Sequence, residues 1–259
     1  MNTRIGPCTH VCGILAGSGI ASREKYRGIA PECTIVSGKI LDEKGGGSLK
    51  NLLKGLQWID EIRKKLPIRI LNISVEIGTD AKLDKEELKL MYGYFERLWE
   101  DGMLIVAAAG NHGPEPMSIS PISENGCCIC VGCHDEGFVG KNGKACLDYC
   151  GRGPGKGEVA MSRIDNPLKK PDIVAPGTDI VSCSHKLASL YVPKSGTSMA
   201  TPMVSGACAL FLQKYPETTN IQLKRCLLTS ARDLGEPWNI QGAGMLSVKR
   251  LLQSVHYMI

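Results

Sequence analysis

Hydrophobic positions along this chain follow two periods. Short apolar runs at residues 68–75, 104–109 and 127–132 have the length and branched content of buried strands, and residues 34–41 read the same way. Between them apolar residues recur at three-to-four spacing. Residues 49–65 predict an amphipathic helix, and residues 85–100 another, with Leu88, Met91, Tyr92, Phe95 and Trp99 on one stripe. A small-residue run after Ser198 passes into an apolar run at 203–212, which predicts a third helix. Gly45-Gly46-Gly47-Ser48 reads as a loop and a helix start rather than a linker between domains. Strand–helix–strand units of this length predict an α/β fold with a parallel central sheet and helices on both faces. Ligands of such sheets bind at the carboxyl ends of the strands, where Ser74 and Asn111 fall.

At 259 residues, 43% of them hydrophobic and 22% charged, the chain is long enough for one well-buried core. No internal repeat or second domain is visible, so residues 1–259 read as a single domain. The net charge of +5 is scattered in short groups such as Arg63-Lys64-Lys65 and Lys169-Lys170. Runs that short are solvated faces, so neither nucleic acid nor a membrane is an expected partner. No stretch has the apolar length of a membrane span, and Met1-Asn2-Thr3-Arg4 does not open a signal peptide.

The chemistry concentrates at SGTSMATP, residues 195–202. A serine at a glycine-preceded helix start has its hydroxyl at the positive end of the helix dipole, beside free backbone N–H groups. That setting suits a nucleophile whose reaction develops an oxyanion. Gly-Thr-Ser alone reads equally well as a helix cap. The full string SGTSMATPMVSGACAL, 195–210, goes further and resembles the nucleophile motif of the subtilisin-like serine proteases, or subtilases. The resemblance continues in family order through THVCGILAGSG (9–19), YRGIAPECTIVSGKIL (26–41), IRILNISV (68–75), LIVAAAGNHGP (104–114), KKPDIVAPGTDIVS (169–182) and LGEPWNIQGAGMLSV (234–248).

That resemblance implies a three-layer subtilisin-like fold and a serine endopeptidase that cleaves peptides or proteins through an acyl-enzyme. It puts the nucleophile at Ser198 and the oxyanion donor at Asn111, and it lays an extended peptide along Ser74, Val75, Ala108 and Gly110. No cofactor is expected. Structural calcium is common in the family, but no acid-rich loop here has the ligand density of such a site, so no metal ligand is assigned. The family has glycine after the residues matching Ser74-Val75, where this chain has Glu76-Ile77-Gly78. Glu76 reads as a solvated residue at a loop start in preference to a charge-selecting one.

The pattern then breaks. Where the family reads His-Gly-Thr-His-Val-Ala-Gly, with the first histidine as general base, this chain reads Pro7-Cys8-Thr9-His10-Val11-Cys12-Gly13. The family's aspartate lies on a strand still further upstream, so the domain is expected to be incomplete at its N-terminal side. Two accounts stay open. One is a pseudoprotease that binds peptides or regulates a partner. The other is a damaged copy: His-Gly-Thr encoded CAT-GGT-ACA, with one G deleted and the frame shifted by an upstream C, reads CCA-TGT-ACA, which is Pro-Cys-Thr.

Of the twelve cysteines, Cys12, Cys133 and Cys208 stand where the resembling motifs carry alanine, and Cys150 where they carry serine. Such residues act as small buried hydrophobes, and so many thiols in a domain that needs no staples point to a cytoplasmic, reducing setting. Cys130-Val131-Gly132-Cys133-His134 has the spacing of a haem-attachment motif, but it overlays a core strand of the family. His10 lies one helical turn from Pro7. His112, His134, His185 and His256 read as ordinary loop or surface residues.

Overall fold

The computed structural model describes residues 6–42, 45–77, 83–155, 169–185 and 190–254. The chain opens with helix α1 (Gly6–Ala16), and after a long connection α2 (Leu49–Ile62) begins. Ser48 caps α2, its hydroxyl accepting from Asn51 N at 3.2 Å. Strand β1 (Ile70–Ile73) follows, then α3 (Lys85–Glu100). The Asp84 carboxylate caps α3, with Glu86 and Glu87 in its first turn and Arg97 in its last, each on the favourable end of the dipole. All five residues of its predicted stripe are buried.

Strands β2 (Leu104–Ala108), β3 (Cys128–Cys133) and β4 (Ile173–Ala175) complete a four-stranded sheet in the order β1-β2-β3-β4, parallel throughout. Every residue of β2, β3 and β4 is buried, as expected for strands covered on both faces. An antiparallel hairpin, β5 (Ile180–Cys183) and β6 (Tyr191–Lys194), leads into the long helix α4 (Thr197–Lys214). Helices α5 (Asn220–Thr229), α6 (Trp238–Gln241) and α7 (Val248–Gln253) close the fold. The helices fall into two layers: α4 lies across all four strands with α1 against it, while α3 packs on β2 with α2 against it. The expected α/β fold, a parallel sheet with helices on both faces, is the observed one.

One predicted element differs. Residues 34–41 form no strand; they run without a ladder partner, and Ile35 and Val36 are 39% and 37% exposed. Apolar periodicity gives a segment a buried face but supplies no neighbour to pair with. The sequence reading also passed over β4, the β5–β6 hairpin and α5, which are short or lie in stretches of mixed polarity.

The haem-like spacing dissolves in the strand. Cys130 and Cys133 lie three residues apart on β3, so their side chains leave opposite faces of the sheet. Among the described residues no group of histidine, cysteine and acidic side chains could hold a metal ion.

A polar contact ties the sheet together. Lys170 is 2% exposed, and its Nζ donates to Asp172 Oδ2 at 2.7 Å and to Cys128 C=O at 3.1 Å. The same carboxylate oxygen accepts from Cys130 N at 2.6 Å. A single ion pair thus joins β3 to the segment that leads into β4.

Candidate active site

Gly196 starts α4 with φ +140°, a backbone conformation that L side chains rarely adopt, and its N–H donates to Gly177 C=O at 2.8 Å. The chain turns there from β6 into the helix, which makes Ser198 the second residue of α4, half-buried. Its position puts the hydroxyl in the first turn, where backbone N–H groups have no partner within the helix. No described residue hydrogen-bonds the Ser198 hydroxyl.

Asn111 approaches the same helix end from the sheet. It follows β2 by three residues, and its Oδ1 accepts from Thr197 N at 2.9 Å and from the Thr197 hydroxyl at 3.3 Å. Gly110 has φ +98°, and its N–H donates to Thr197 Oγ1 at 3.2 Å. The carboxyl end of β2 and the amino end of α4 are therefore joined through Thr197. The sequence reading did not single that residue out, although its place between Gly196 and Ser198 was the available signal.

The other half of the Asn111 amide is engaged elsewhere. Its Nδ2 donates to Glu76 Oε2 at 3.1 Å, and its backbone N–H donates to the same oxygen. Glu76 is exposed, as a solvated loop residue would be, but its carboxylate sits on the amide proposed as the oxyanion donor. The signal was in the sequence: a charged side chain stands where glycine was expected.

Ser74 and Val75 run on from β1 and are half-buried; the Ser74 hydroxyl accepts from Asn72 Nδ2 at 2.9 Å. Ala108 ends β2 with 0% exposure, and Gly110 beyond it is buried as well. Pro7 lies in the first turn of α1, a helix position that accepts proline because its N–H is not needed there. His10 is fully buried, with Nε2 at 2.9 Å from Val192 C=O. Burial is the main cause pulling its pKa below the ordinary histidine value. His112 and His185 are exposed and His134 is buried, while His256 lies outside the described residues.

Cys8 is half-buried in the first turns of α1, its sulfur 3.9 Å from Cys12 Sγ and 3.2 Å from Ser37 Oγ. The Cys12 contact, offset in part by burial and aided by Ser37, lowers its pKa to about 6. Alkylation of Cys8 by iodoacetamide should accordingly rise with pH to half its plateau near pH 6, followed by peptide mass mapping. A midpoint near the ordinary thiol value of 9.0 would show that neither neighbour stabilises the thiolate.

Residues 8–244 match the sequence model of the subtilase family. The chain is 32% identical to "Serine protease AprX" of Bacillus subtilis (strain 168) over 94% of its own length and 57% of that protein, so it spans little more than half of that relative. It is 29% identical to "Subtilisin Savinase" of Lederbergia lenta, over 94% of this chain and 76% of that one. Among solved structures it resembles Sphericase with a TM-score of 0.75 and 25% identity, covering 95% of this chain and 78% of that one.

Proposed function

The chain belongs to the subtilase family, and from that premise we propose that it is a serine endopeptidase domain whose nucleophile is Ser198 and whose oxyanion donor is Asn111. The observation that carries this reading is the Asn111 carboxamide bonded to Thr197 N, one residue before a serine at a helix start. A tetrahedral oxygen formed at Ser198 would face the first-turn N–H groups and, after a change of partner, the Asn111 amide. The substrate would be a peptide or protein lying along Ser74-Val75 and Gly110. General base and orienting acid would come from outside the present sequence, because Pro7 occupies the base position and His10 is bonded to Val192. In this reading the domain as written is inactive. The twelve free thiols support a reducing, cytoplasmic setting.

A fluorophosphonate probe tests the assignment. With Pro7→His, Cys8→Gly and an aspartate-bearing upstream segment supplied together, the adduct should map to Ser198 and vanish in Ser198→Ala. An adduct on any other residue would overturn it.

The alternative, a non-catalytic peptide-binding module, is favoured by Glu76, since a carboxylate on the Asn111 amide opposes a developing oxyanion. The two readings part at that residue. In the restored enzyme, Glu76→Gly should raise kcat by roughly tenfold or more with little change in KM, because removing such a donor from subtilisin costs roughly a hundred- to a thousand-fold. Asn111→Ala should cost far more in the Glu76→Gly background than in its absence. Equal costs in both backgrounds would show that Glu76 does not hold the donor.

A further inference from the structure

We propose that Glu76 selects a cationic side chain, arginine above all, on the substrate residue whose carbonyl faces Asn111, and that this cation draws the carboxylate off the Asn111 amide. The inference rests on the peptidase reading above and adds the substrate class to it. Glu76 follows β1 and reaches the turn after β2, so its carboxylate lies where the carboxyl ends of two parallel neighbours meet. Gly110 adjoins the same spot: a Cβ built on it would sit 3.3 Å from Glu76 Oε2. The backbone beside Glu76 is anchored, because Ile77 N donates to Ser120 Oγ at 3.1 Å and Ser120 N donates to Ala109 C=O at 2.7 Å. The exposed side chain can therefore turn without disturbing either strand.

An ionised carboxylate only accepts hydrogen bonds, and each of its oxygens has room for more than one donor. Oε2 holds two N–H groups of Asn111, whereas Oε1 has no partner among the described residues. No described lysine or arginine pairs with Glu76. A negative charge at the strand ends thus faces solvent with one oxygen unused. The planar guanidinium of arginine matches it best, since its fork gives two parallel charge-assisted bonds. Lysine offers the charge without the fork, and a neutral side chain must compete with water for the same oxygens. A metal ion is a poor occupant, because no group of acidic, histidine and cysteine side chains suited to one stands among the described residues.

Distance picks out the substrate residue that is read. Glu76 Oε2 lies 3.1 Å from Asn111 Nδ2, the atom assigned to the oxyanion, so the side chain nearest Glu76 belongs to the residue whose carbonyl is attacked. As the guanidinium takes the carboxylate, Nδ2 is left for the developing oxygen. The gain expected from Glu76→Gly therefore belongs to substrates that are neutral at this residue.

The test titrates residues 1–259 with a fluorescein-labelled peptide, Ala-Ala-Ala-Arg-Ala-Ala, and with its counterpart carrying citrulline, which keeps the shape of arginine without the charge. Binding is read by fluorescence anisotropy and needs no turnover at Ser198. The arginine peptide should bind about tenfold more tightly at low salt, and the preference should shrink at about 0.5 M salt. Glu76→Gln should bind the two peptides equally, and Glu76→Lys should prefer a glutamate peptide to both. Glu76 is exposed, so neither change opens the core, and circular dichroism checks that both variants fold. In NMR spectra the Asn111 side-chain amide, assigned by its loss in Asn111→Asp, should shift with the arginine peptide and stay in place with the citrulline one. Equal affinities for the wild type, an arginine preference that survives Glu76→Gln, no binding of either peptide, or an unmoved Asn111 amide would each overturn the inference. A fluorophosphonate adduct away from Ser198 in the restored enzyme would instead strike the peptidase reading beneath it, whatever the peptides show.

Discussion

Residues 1–259 are expected to show no measurable peptidase turnover, and restoring base and acid together should raise turnover by about a million-fold. In the proposed reading no base faces Ser198, so its hydroxyl would stay neutral at pH 7 and be a weak nucleophile. In subtilisin, loss of the catalytic histidine alone costs about two million-fold in turnover, which corresponds to roughly 8 to 9 kcal/mol of barrier. The helix-end N–H groups and Asn111 would leave a residual acceleration over water, below the detection limit of a peptide assay. Pro7→His with Cys8→Gly should recover little alone, because a histidine without its carboxylate partner lacks the correct tautomer and orientation. Full recovery requires the aspartate-bearing segment as well. The measurements are hydrolysis of a chromogenic peptide and fluorophosphonate labelling. Strong labelling of the unmodified chain that is abolished by Ser198→Ala would mean that another residue serves as base. His10 would be the first to change, although its Nε2 already bonds Val192 C=O.

The second large effect concerns stability. Asp172→Ala leaves the Lys170 ammonium buried without its carboxylate and removes the acceptor for Cys130 N. Breaking a buried pair in this way costs about 3 to 5 kcal/mol, read as a lower urea midpoint with an unchanged slope. Asp172→Asn, which keeps an acceptor for Cys130 N, should lose less. Burial is the largest influence and pulls the Lys170 pKa down, but Asp172 together with Cys130 and Cys128 outweighs it, and the net direction is up. A raised pKa in the folded state means that the pair's stabilisation is fully present below the ordinary lysine value of 10.5. It is lost as pH rises through the folded value. The wild type should therefore keep this contribution from neutral pH to about 9 and lose it in stronger alkali. Stability that did not fall in stronger alkali would show that the Lys170 charge does not hold the pair.

Much of the fold was legible in the residues because burial has a period. Helix α3 matched its stripe to the residue, since Leu88, Met91, Tyr92, Phe95 and Trp99 all had one face to hide. β2 and β3 appeared within a residue of their expected bounds, because strands covered on both faces are continuously apolar. SGTSMATP likewise placed a serine at a helix start, and Gly196 with its positive φ shows why glycine stands there. The family followed from the order of such strings along the chain.

What needed the tertiary structure was every property that depends on a neighbour distant in sequence. Residues 34–41 have the composition of a strand and are not one, because pairing belongs to two segments and composition to one. Glu76 reads as a loop residue until the turn after β1 is set beside the end of β2, 35 positions away, where its carboxylate meets the Asn111 amide. Lys170 looks like a surface charge in a basic pair and lies buried, because Asp172 and the Cys128 carbonyl together replace its water. Sequence determined which residues seek burial and which carry chemistry. The packing of β1, β2 and α4 decided which of those groups meet, because hydrogen bonds and ion pairs act over a few ångströms of space regardless of separation along the chain.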